Sequence, residues 1–410
     1  MCWSCRENKD NGITFITIFV NIAYAMKIRF THISFLACAL FGALVSCNQQ
    51  DRNTSASPRL QGDTVALEYA NGFAIVEGEG WTMVDVRRPY MGAETGYRYL
   101  LVPRDAKEVP EHDPGTRVIR TPVHTVVCTS TTHIPLLDYL GLTDRLIGFP
   151  TIDYVSSEKM RARIDSGHVT ELGVDKGLNL ERLISIRPDL VIGYTMSSDY
   201  GQFGKIEELG IPVVLNAEYL ETHPLGRAEW IKFIGCFFDR RHEADSVFTS
   251  IAQRYNEVQQ LTVETSSRPT VVSGILYGHA WFLPGGKNYA AELLNDAGCN
   301  YLWRENPSTG FLELSFEAVY EKARNADLWI GVGPFGSIEE LRAGDHRYAK
   351  IKAFKERKVY NYDARKGSGS GNEYLELGYL RPDLILQDLV KIAHPELVPD
   401  YQLYFYRRLE

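Results

Sequence analysis

From residue 119 onward the chain alternates short apolar runs with stretches of helical periodicity. The runs form two series, and they are 124–128, 189–193 and 213–215 in the first, and 270–274, 327–331 and 358–361 in the second. Strands that alternate with helices indicate βαβ units, which build parallel sheets covered by helices. The sequence therefore predicts an α/β fold with two doubly wound lobes.

A longer helical segment separates the two series. Between Pro224 and Leu261, apolar residues recur at spacings of three and four, which is the period of one buried helix face. The segment can break into two helices near Gly235 and Asp239. A long helix that joins the lobes predicts less hinge bending on ligand binding than several flexible strands would permit.

The chain before the lobes has a different pattern of apolar residues. Short aromatic and β-branched runs separated by Gly and Pro predict a small N-terminal β-meander, whose role the sequence leaves open. The predicted segments are the leader 1–46, the tether 47–63, the β-meander extension 64–117, the first lobe 118–222, the linking helices 223–267 and the second lobe 268–410.

The leader ends in a lipoprotein-type signal, Leu-Val-Ser-Cys, at residues 44–47. Lys27 and Arg29 precede an apolar run that is shorter than the roughly 20 residues of a membrane span. We expect cleavage before Cys47 and a lipid on its thiol, with an uncleaved anchor as the alternative. A second apolar stretch precedes Met26, which we interpret as the true start of translation.

The composition permits a sizeable core and argues against nucleic-acid binding. Hydrophobic residues make up 44% of the chain, and the net charge is −8. Removal of residues 1–46 takes away four basic and two acidic side chains, so the 364 remaining residues (410 − 46) carry a net charge of −10. Such a chain favours an extracytoplasmic body without nucleic-acid partners. Cys128, Cys236 and Cys299 are widely spaced, which favours buried thiols over a disulfide framework or a zinc site.

Three segments carry a family resemblance. They are Gly177–Gly193 (GLNLERLISIRPDLVIG), Leu314–Tyr320 (LSFEAVY) followed by Ala326–Ile330 (ADLWI), and Arg381–Glu396 (RPDLILQDLVKIAHPE). Residues 118–398 thereby resemble the substrate-binding proteins of ABC importers, in the class with a rigid helical linker that carries ferric siderophores, haem or cobalamin. The β-meander lies outside the usual core of that family.

The resemblance implies partners as well as a fold. A glutamate on each lobe of such proteins docks onto arginines of the permease, and the matching positions here are Glu181 and Glu317. Each stands at a predicted helix start, where the helix dipole already favours an acidic residue. The expected partners are an ABC permease with its ATPase, a metal-chelate ligand, and a membrane reached only through the lipid anchor.

Ligands of open parallel sheets bind beyond the carboxyl ends of the strands. Loops at those positions are rich in aromatic and hydroxyl side chains, which suit a large flat chelate. The predicted ligand-binding residues are His133, Tyr194, Tyr200, Tyr277, His279, Trp281, Phe335, Arg365, Lys366, Asn372 and Tyr374.

Roles differ within this set. We expect Tyr194, Tyr277 and Trp281 to form stacking walls. Arg365 and Lys366 enter a glycine-rich loop and either neutralise an anionic chelate or remain solvated. His133 and His279 stand on opposite lobes, as axial ligands of a bound iron or as ordinary hydrogen-bonding residues. We predict no catalytic residue, no cofactor and no protein-held metal ion.

Particular residues bear on other functions of the chain. Gly331–Gly336 fits the GxGxxG pattern of dinucleotide sites, but Pro334 removes a backbone donor from the loop that would hold the pyrophosphate. A chelate-processing enzyme lacks a paired acid and base beside a nucleophile. A surface complex that uses the β-meander is a third hypothesis. The sequence therefore predicts a carrier that is not an enzyme, with an iron chelate as cargo and cobalamin as the alternative.

Overall fold

The computed structural model describes residues 60–174, 177–196 and 201–410. All of them belong to one compact unit, residues 57–410. Within the described ranges no helix has both the length and the apolar character to cross a bilayer. The predicted leader, the lipidation site Cys47 and most of the tether lie outside the described residues.

The N-terminal extension is a five-stranded sheet in the order β1-β2-β3-β4-β5. Its strands are β1 Asp63–Thr64, β2 Phe73–Gly78, β3 Trp81–Val86, β4 Tyr97–Pro103 and β5 Arg117–Thr121. Strands β1 to β4 pair antiparallel in sequence order, as a meander does. β5 pairs parallel to β4, so the sheet continues past the predicted boundary at residue 117 and includes the first residues that were assigned to the lobe.

The first lobe is a parallel sheet in the order β12-β11-β6-β7-β8. Its strands are β6 Val126–Cys128, β7 Leu146–Phe149, β8 Thr170–Glu171, β11 Leu190–Gly193 and β12 Val213–Leu215, with a separate hairpin of β9 Gly173–Val174 and β10 Gly177–Leu178. Its helices are α1 His133–Tyr139, α2 Glu158–Asp165, α3 Leu180–Ile186 and α4 Gly201–Glu208. The central strands β6 and β11 are buried along their whole length, which explains why they read as continuous apolar runs.

Two helices connect the lobes, α5 Pro224–Phe237 and α6 Arg241–Val263. Every residue of α5 is buried. The chain turns between them at Asp239, whose φ of 57° is left-handed and ends the helix. The predicted long helix is thus a pair of helices, and the break lies near Gly235 and Asp239, where the sequence permitted one.

The second lobe repeats the design with a sheet in the order β16-β13-β18-β19-β20, in which only β20 runs antiparallel. Its strands are β13 Thr270–Ser273, β16 Asn300–Tyr301, β18 Leu328–Ile330, β19 Val359–Asn361 and β20 Arg407–Arg408. A smaller antiparallel sheet is formed by β14 Ile275–Tyr277, β15 Ala280–Pro284 and β17 Phe311–Leu314. The helices are α7 Tyr289–Asp296, α8 Phe316–Ala323, α9 Ile338–Gly344, α10 Lys352–Lys355, α11 Glu373–Leu377 and α12 Pro382–Ala393.

Buried carboxylates on and before α5 fasten the extension to the helix pair. Glu229, which is fully buried, accepts the backbone N–H groups of residues 68–70 at 2.8–2.9 Å. Glu221 accepts those of residues 71 and 72 at 2.7–2.9 Å. On the lobe side, the Leu215 N–H of edge strand β12 donates to the Tyr99 hydroxyl of β4 at 3.1 Å. The extension therefore packs against both the linking helices and the first lobe.

The described cysteines behave as the sequence predicts. Cys128, Cys236 and Cys299 are buried and free of disulfides. Burial raises the pKa of the Cys236 and Cys299 thiols to about 12, which keeps them protonated and unreactive at neutral pH.

Candidate functional site

The two lobes meet along a seam at the carboxyl ends of their parallel strands, and this seam is called the interlobe cleft below. The loop after β19 in the second lobe lies on the loop after β7 in the first. A Cβ atom added at Gly369 would lie 2.5 Å from the Asp153 carbonyl oxygen, and one at Gly371 would lie 2.5 Å from that of Tyr154. Only glycine permits so close an approach between the two backbones.

A carboxylate crosses the seam beside this contact. Glu376 on α11 accepts the backbone N–H of Ser156 at 2.6 Å and that of Ser157 at 2.8 Å. Ser157 is the N-cap of α2, so a residue of the second lobe satisfies free donors at the start of a first-lobe helix. Burial raises the pKa of Glu376 to about 7, although the two N–H groups act in the opposite direction.

Arg227 of α5 forms the base of the cleft. Its Nε donates to the Glu221 carbonyl at 2.9 Å and its Nη2 to the Tyr219 carbonyl at 3.0 Å. The guanidinium lies 3.9 Å from the centre of the Tyr289 ring and 4.2 Å from that of Tyr379. A cation held between two aromatic faces links the helix pair to the second lobe.

Tyrosines form the second-lobe wall. The Tyr362 and Tyr374 rings stack with centroids 4.5 Å apart, and Tyr406 meets Tyr374 edge-on at 5.7 Å. Burial raises the pKa of all three phenols, so they remain neutral hydrogen-bonding groups at physiological pH. Tyr362 and Tyr374 are half-buried, which leaves part of each ring available for stacking.

On the first-lobe side a polar cluster covers the carboxyl edge of the sheet. Glu218, which follows β12, accepts a hydrogen bond from the Thr132 hydroxyl in the loop after β6 at 2.6 Å. Because β11 lies between those strands, the Glu218 side chain spans the carboxyl end of β11. Burial raises the pKa of Glu218 to about 7. The Asn216 side-chain oxygen accepts the Glu218 backbone N–H at 3.2 Å.

Comparison with known proteins identifies this arrangement. The periplasmic binding protein family profile matches residues 126–366, which is more than half of the chain. The chain belongs to the periplasmic binding protein family. The family assignment confirms the class expected from the three sequence segments, and it places the chain among binding proteins for transport.

Individual relatives of this binding protein are distant in sequence. An uncharacterized lipoprotein of Methanocaldococcus jannaschii is 26% identical over 88% of this chain and 90% of its own length. An uncharacterized ABC transporter substrate-binding lipoprotein of Bacillus subtilis is 23% identical over 58% of this chain and 72% of its own. The periplasmic haem-binding protein RhuT of Roseiflexus sp. RS-1 has the same fold. Its structure is 16% identical in sequence, with a TM-score of 0.52, over 67% of this chain and 99% of that structure.

Two of the predicted ligand-binding residues are core residues of the binding protein. Trp281 is fully buried, stacks on Trp329 with centroids 5.3 Å apart, and donates to the Ser273 carbonyl. His133 is also fully buried, and burial lowers its pKa to about 3. Neither ring is exposed to the cleft, so Trp281 does not form a stacking wall. Both ring nitrogens of His133 lack a hydrogen-bond partner, and its role as an axial ligand stays a prediction.

The other predicted residues differ in exposure and in contacts. Tyr194 and Tyr277 are half-buried at the carboxyl ends of β11 and β14, and His279 is exposed in the turn before β15. Asn372 caps α11 through its side-chain oxygen, and it donates to the Tyr362 carbonyl at 3.1 Å. Tyr200 lies outside the described residues.

The remaining basic and aromatic candidates already have partners within the second lobe. Arg365 pairs with Glu373 at 2.6 Å and lies over the Tyr404 ring. Lys366 is 3.3 Å from the Asp363 carboxylate. Phe335 is half-buried, and its carbonyl accepts a hydrogen bond from the Asn361 side chain. The charge of the glycine-rich loop is thus largely compensated locally.

The two predicted docking residues are exposed in the first turns of their helices. Asn179 caps the helix of Glu181, and Ser315 caps that of Glu317. The Glu317 carboxylate has 75% of its surface exposed, and it accepts a hydrogen bond from Arg347 at 3.1 Å.

Sequence reasoning missed three buried polar groups of the cleft, Glu218, Asn216 and Arg227. The available signal was Asn-Ala-Glu directly after the apolar run 213–215, which puts polar residues at the carboxyl end of a strand. Arg227 carried a signal too, as a cation inside an apolar helical stretch. Among the described residues, no three His, Cys, Asp or Glu side chains lie together as a metal site.

Proposed function

We propose that the protein is the substrate-binding component of an ABC importer that captures an iron chelate, either a ferric siderophore or haem, in the interlobe cleft. The observation that carries the proposal is a seam of two parallel-sheet edges lined by half-buried tyrosines above a fixed arginine. Such a lining offers stacking faces and few hydrogen-bonding groups, as a large flat ligand requires. Cobalamin, another large macrocycle, is the alternative cargo.

The names of similar proteins support this proposal. RhuT, which has the same fold, is a haem-binding protein, and the relative in Bacillus subtilis is named as an ABC transporter substrate-binding lipoprotein. Delivery would be to a permease and its ATPase. The lipoprotein names of two relatives also support lipid attachment through Cys47 after removal of residues 1–46, with the body outside the cytoplasm and tethered to a membrane.

The proposal is tested by direct binding. Residues 48–410 would be incubated with haem, ferrioxamine B and cyanocobalamin and examined by native mass spectrometry, with tyrosine fluorescence titration for affinity. We expect a one-to-one complex with an iron chelate and recovery of the ligand unchanged. A complex with cyanocobalamin alone would replace the cargo by the alternative. Binding of none of the three would refute the proposal.

We further propose that Glu181 and Glu317 dock the loaded protein onto basic residues of the permease. Two exposed carboxylates on separate lobes fix the orientation of a rigid body and speed its encounter with a basic surface. The Arg347 contact keeps Glu317 in place without burying it, and an exposed pair of this kind contributes little stability.

The docking proposal predicts a separation of transport from binding. In proteoliposomes that contain the cognate permease and ATPase, Glu181→Ala combined with Glu317→Ala should abolish uptake of the chelate and leave its affinity unchanged. Glu339→Ala is the matched control, because Glu339 is also an exposed first-turn glutamate, and it should transport normally. Weaker chelate binding by the double variant would refute the docking role.

A further inference from the structure

Several buried polar atoms of the described residues lack a hydrogen-bond partner, and some of them gather at the carboxyl edges of the two sheets. In the first lobe they are Asn216 Nδ2, Glu218 Oε2 and both ring nitrogens of His133, and in the second lobe Asn361 Oδ1 and Asp363 Oδ1. Each of these side chains is at least nine-tenths buried. An unpaired buried polar atom destabilises a fold, so its retention at a ligand-binding edge indicates a partner that arrives with the ligand.

Asn216 and Glu218, called the acid–amide pair below, are held so that one atom of each is occupied and the other is free. The Asn216 side-chain oxygen accepts the Glu218 N–H at 3.2 Å, and Nδ2 is left over. Glu218 Oε1 accepts the Thr132 hydroxyl at 2.6 Å, and Oε2 is left over. Both side chains are therefore oriented before any ligand arrives.

The two free atoms have opposite hydrogen-bonding character. An amide nitrogen donates only, and above the raised pKa of Glu218, about 7, the ionised carboxylate oxygen accepts only. A ligand group that offers both an acceptor and a donor satisfies the pair in this form, and a carboxamide does so with its carbonyl oxygen and its N–H. The ionised propionates of haem offer acceptors without a donor, and would leave the ionised Glu218 unpaired. The affinities that test this pattern are therefore measured at pH 8, where Glu218 is mostly ionised.

We propose that the acid–amide pair recognises a carboxamide group of the cargo, with Asn216 Nδ2 donating to its carbonyl oxygen and Glu218 Oε2 accepting its N–H. This inference rests on the proposed function and narrows its cargo to an amide-bearing chelate. Ferric siderophores with amide linkages and the carboxamides of cobalamin present the same chemistry, and the experiment separates these two sources.

Two isosteric substitutions exchange donor and acceptor at the free atoms, and they keep the oxygen atoms that already accept hydrogen bonds from Thr132 and from the Glu218 N–H. Glu218→Gln retains an oxygen for Thr132 and makes the free atom a donor. Asn216→Asp retains an oxygen for the Glu218 N–H and makes the free atom an acceptor. The double variant restores one donor and one acceptor in exchanged positions, which a carboxamide turned end for end can satisfy.

The test measures affinity for four probes: ferrioxamine B, ferric tris(N-methylacetohydroxamate), cyanocobalamin and haem. Ferrioxamine B has amide N–H groups. Ferric tris(N-methylacetohydroxamate) holds iron through the same hydroxamate groups but has no N–H. We expect each single variant to bind the amide-bearing probe about tenfold more weakly, which equals about 1.4 kcal/mol, and the double variant to recover most of that loss. Affinity for probes without the amide should stay constant. Whether ferrioxamine B or cyanocobalamin shows the pattern identifies the source of the carboxamide.

The outcomes distinguish this inference from the proposed function. If wild type binds only haem, or if the single variants weaken all probes equally, the carboxamide role is wrong while the carrier function stands. Failure of the double variant to recover affinity, with folding verified by its melting temperature, would also overturn the inference. If wild type binds no probe, both the proposed function and the inference fall.

Discussion

Strain at a single residue marks the first-lobe side of the seam. Thr151 follows β7 and has a φ of 49° and a ψ of 59°, a left-handed conformation that is unusual for a β-branched residue. The turn that it begins leads to Asp153 and Tyr154, against which the glycine-rich loop packs. Strained backbone of this kind persists where the surrounding structure holds it, often at functional sites.

Relief of this strain should stabilise the protein. Thr151→Asn places a residue that tolerates the left-handed region at this position, and we expect the free energy of unfolding to rise by about 1 kcal/mol. Urea unfolding followed by circular dichroism measures the change. Thr249→Asn, at an exposed helical position of α6, is the control and should have little effect. Destabilisation by Thr151→Asn would mean that contacts of the threonine side chain stabilise the fold by more than the strain costs.

Glu376 makes stability depend on pH. Because its folded pKa is raised to about 7, above the value of about 4.3 for a free glutamate, the native state binds a proton more tightly than the unfolded state. Its stabilising contribution is complete below pH 4 and is lost as the pH rises through 7. The magnitude is on the order of 3–4 kcal/mol.

The corresponding variant is Glu376→Gln, which cannot ionise. Thermal unfolding at pH 5 and pH 8 should show a smaller loss of stability on raising the pH in this variant than in wild type. Glu339→Gln, at an exposed position, should retain the wild-type difference. An unchanged pH dependence in Glu376→Gln would show that this carboxyl titrates normally in the folded protein.

At the scale of elements, the extension depends on one buried carboxylate. Glu229 accepts three backbone N–H groups from residues 68–70 and lies 3.1 Å from Lys232 Nζ. Glu229→Ala would leave these three donors without their acceptor, and Lys232 would keep only the partly exposed Asp245 carboxylate at 3.4 Å. We expect a loss of about 3–5 kcal/mol in the free energy of unfolding.

Chemical denaturation and limited proteolysis test this role together. In Glu229→Ala we expect cleavage within the extension before the lobes are cut, because its attachment to α5 is broken. Glu243→Ala removes an exposed glutamate that pairs with Arg240, and it should alter stability by less than about 1 kcal/mol. Equal protease resistance of Glu229→Ala and wild type would mean that other contacts hold the extension.

The elements themselves were largely readable from the sequence, whereas their side-chain environments were not. Apolar runs such as 213–215 became strands with the same bounds, because parallel strands buried on both faces leave an unbroken apolar signal. Trp281 was misjudged because Gly274, with a φ of 78°, turns the chain out of β13 into a separate hairpin that packs the indole on Trp329. The burial of His133 was not foreseen, because α1 begins at that residue with its buried face.

The polar cleft residues escaped prediction because tertiary contacts define them. Nothing local in the sequence reveals that Glu218 spans the end of β11 to reach Thr132, a partner 86 positions away. Tyr374, by contrast, was predicted as a ligand-binding residue from its place in the loop after β19. The structure stacks it on Tyr362, and its contact with a ligand stays a prediction. Strand order, which brings such residues together, is not contained in hydrophobic periodicity.

For the whole molecule, the lobes are held together at separate points. The helix pair joins them at the base, Glu376 bonds to residues 156 and 157 at the seam, and Arg381 of the second lobe donates to the Tyr139 hydroxyl of the first at 2.8 Å. Rotation about the helix pair must break the latter two contacts. Glu218 Oε2 and Asn216 Nδ2 are inaccessible in this arrangement, so a ligand can reach them only after the structure around them opens.

This argument predicts the effect of locking the seam. A Cβ atom added at Gly367 would lie 3.3 Å from Ser156 Oγ, without the 2.5 Å backbone clash found at Gly371, so cysteines at positions 156 and 367 are close enough to form a disulfide. Oxidised Ser156→Cys/Gly367→Cys should bind the chelate at least tenfold more slowly than wild type in stopped-flow fluorescence, and reduction should restore the rate. Each single cysteine variant controls for the substitution alone. Equal association rates in the oxidised and reduced double variant would mean that the ligand enters without separation of the lobes at this contact. The two lobes would then stay in contact at the seam while the ligand binds.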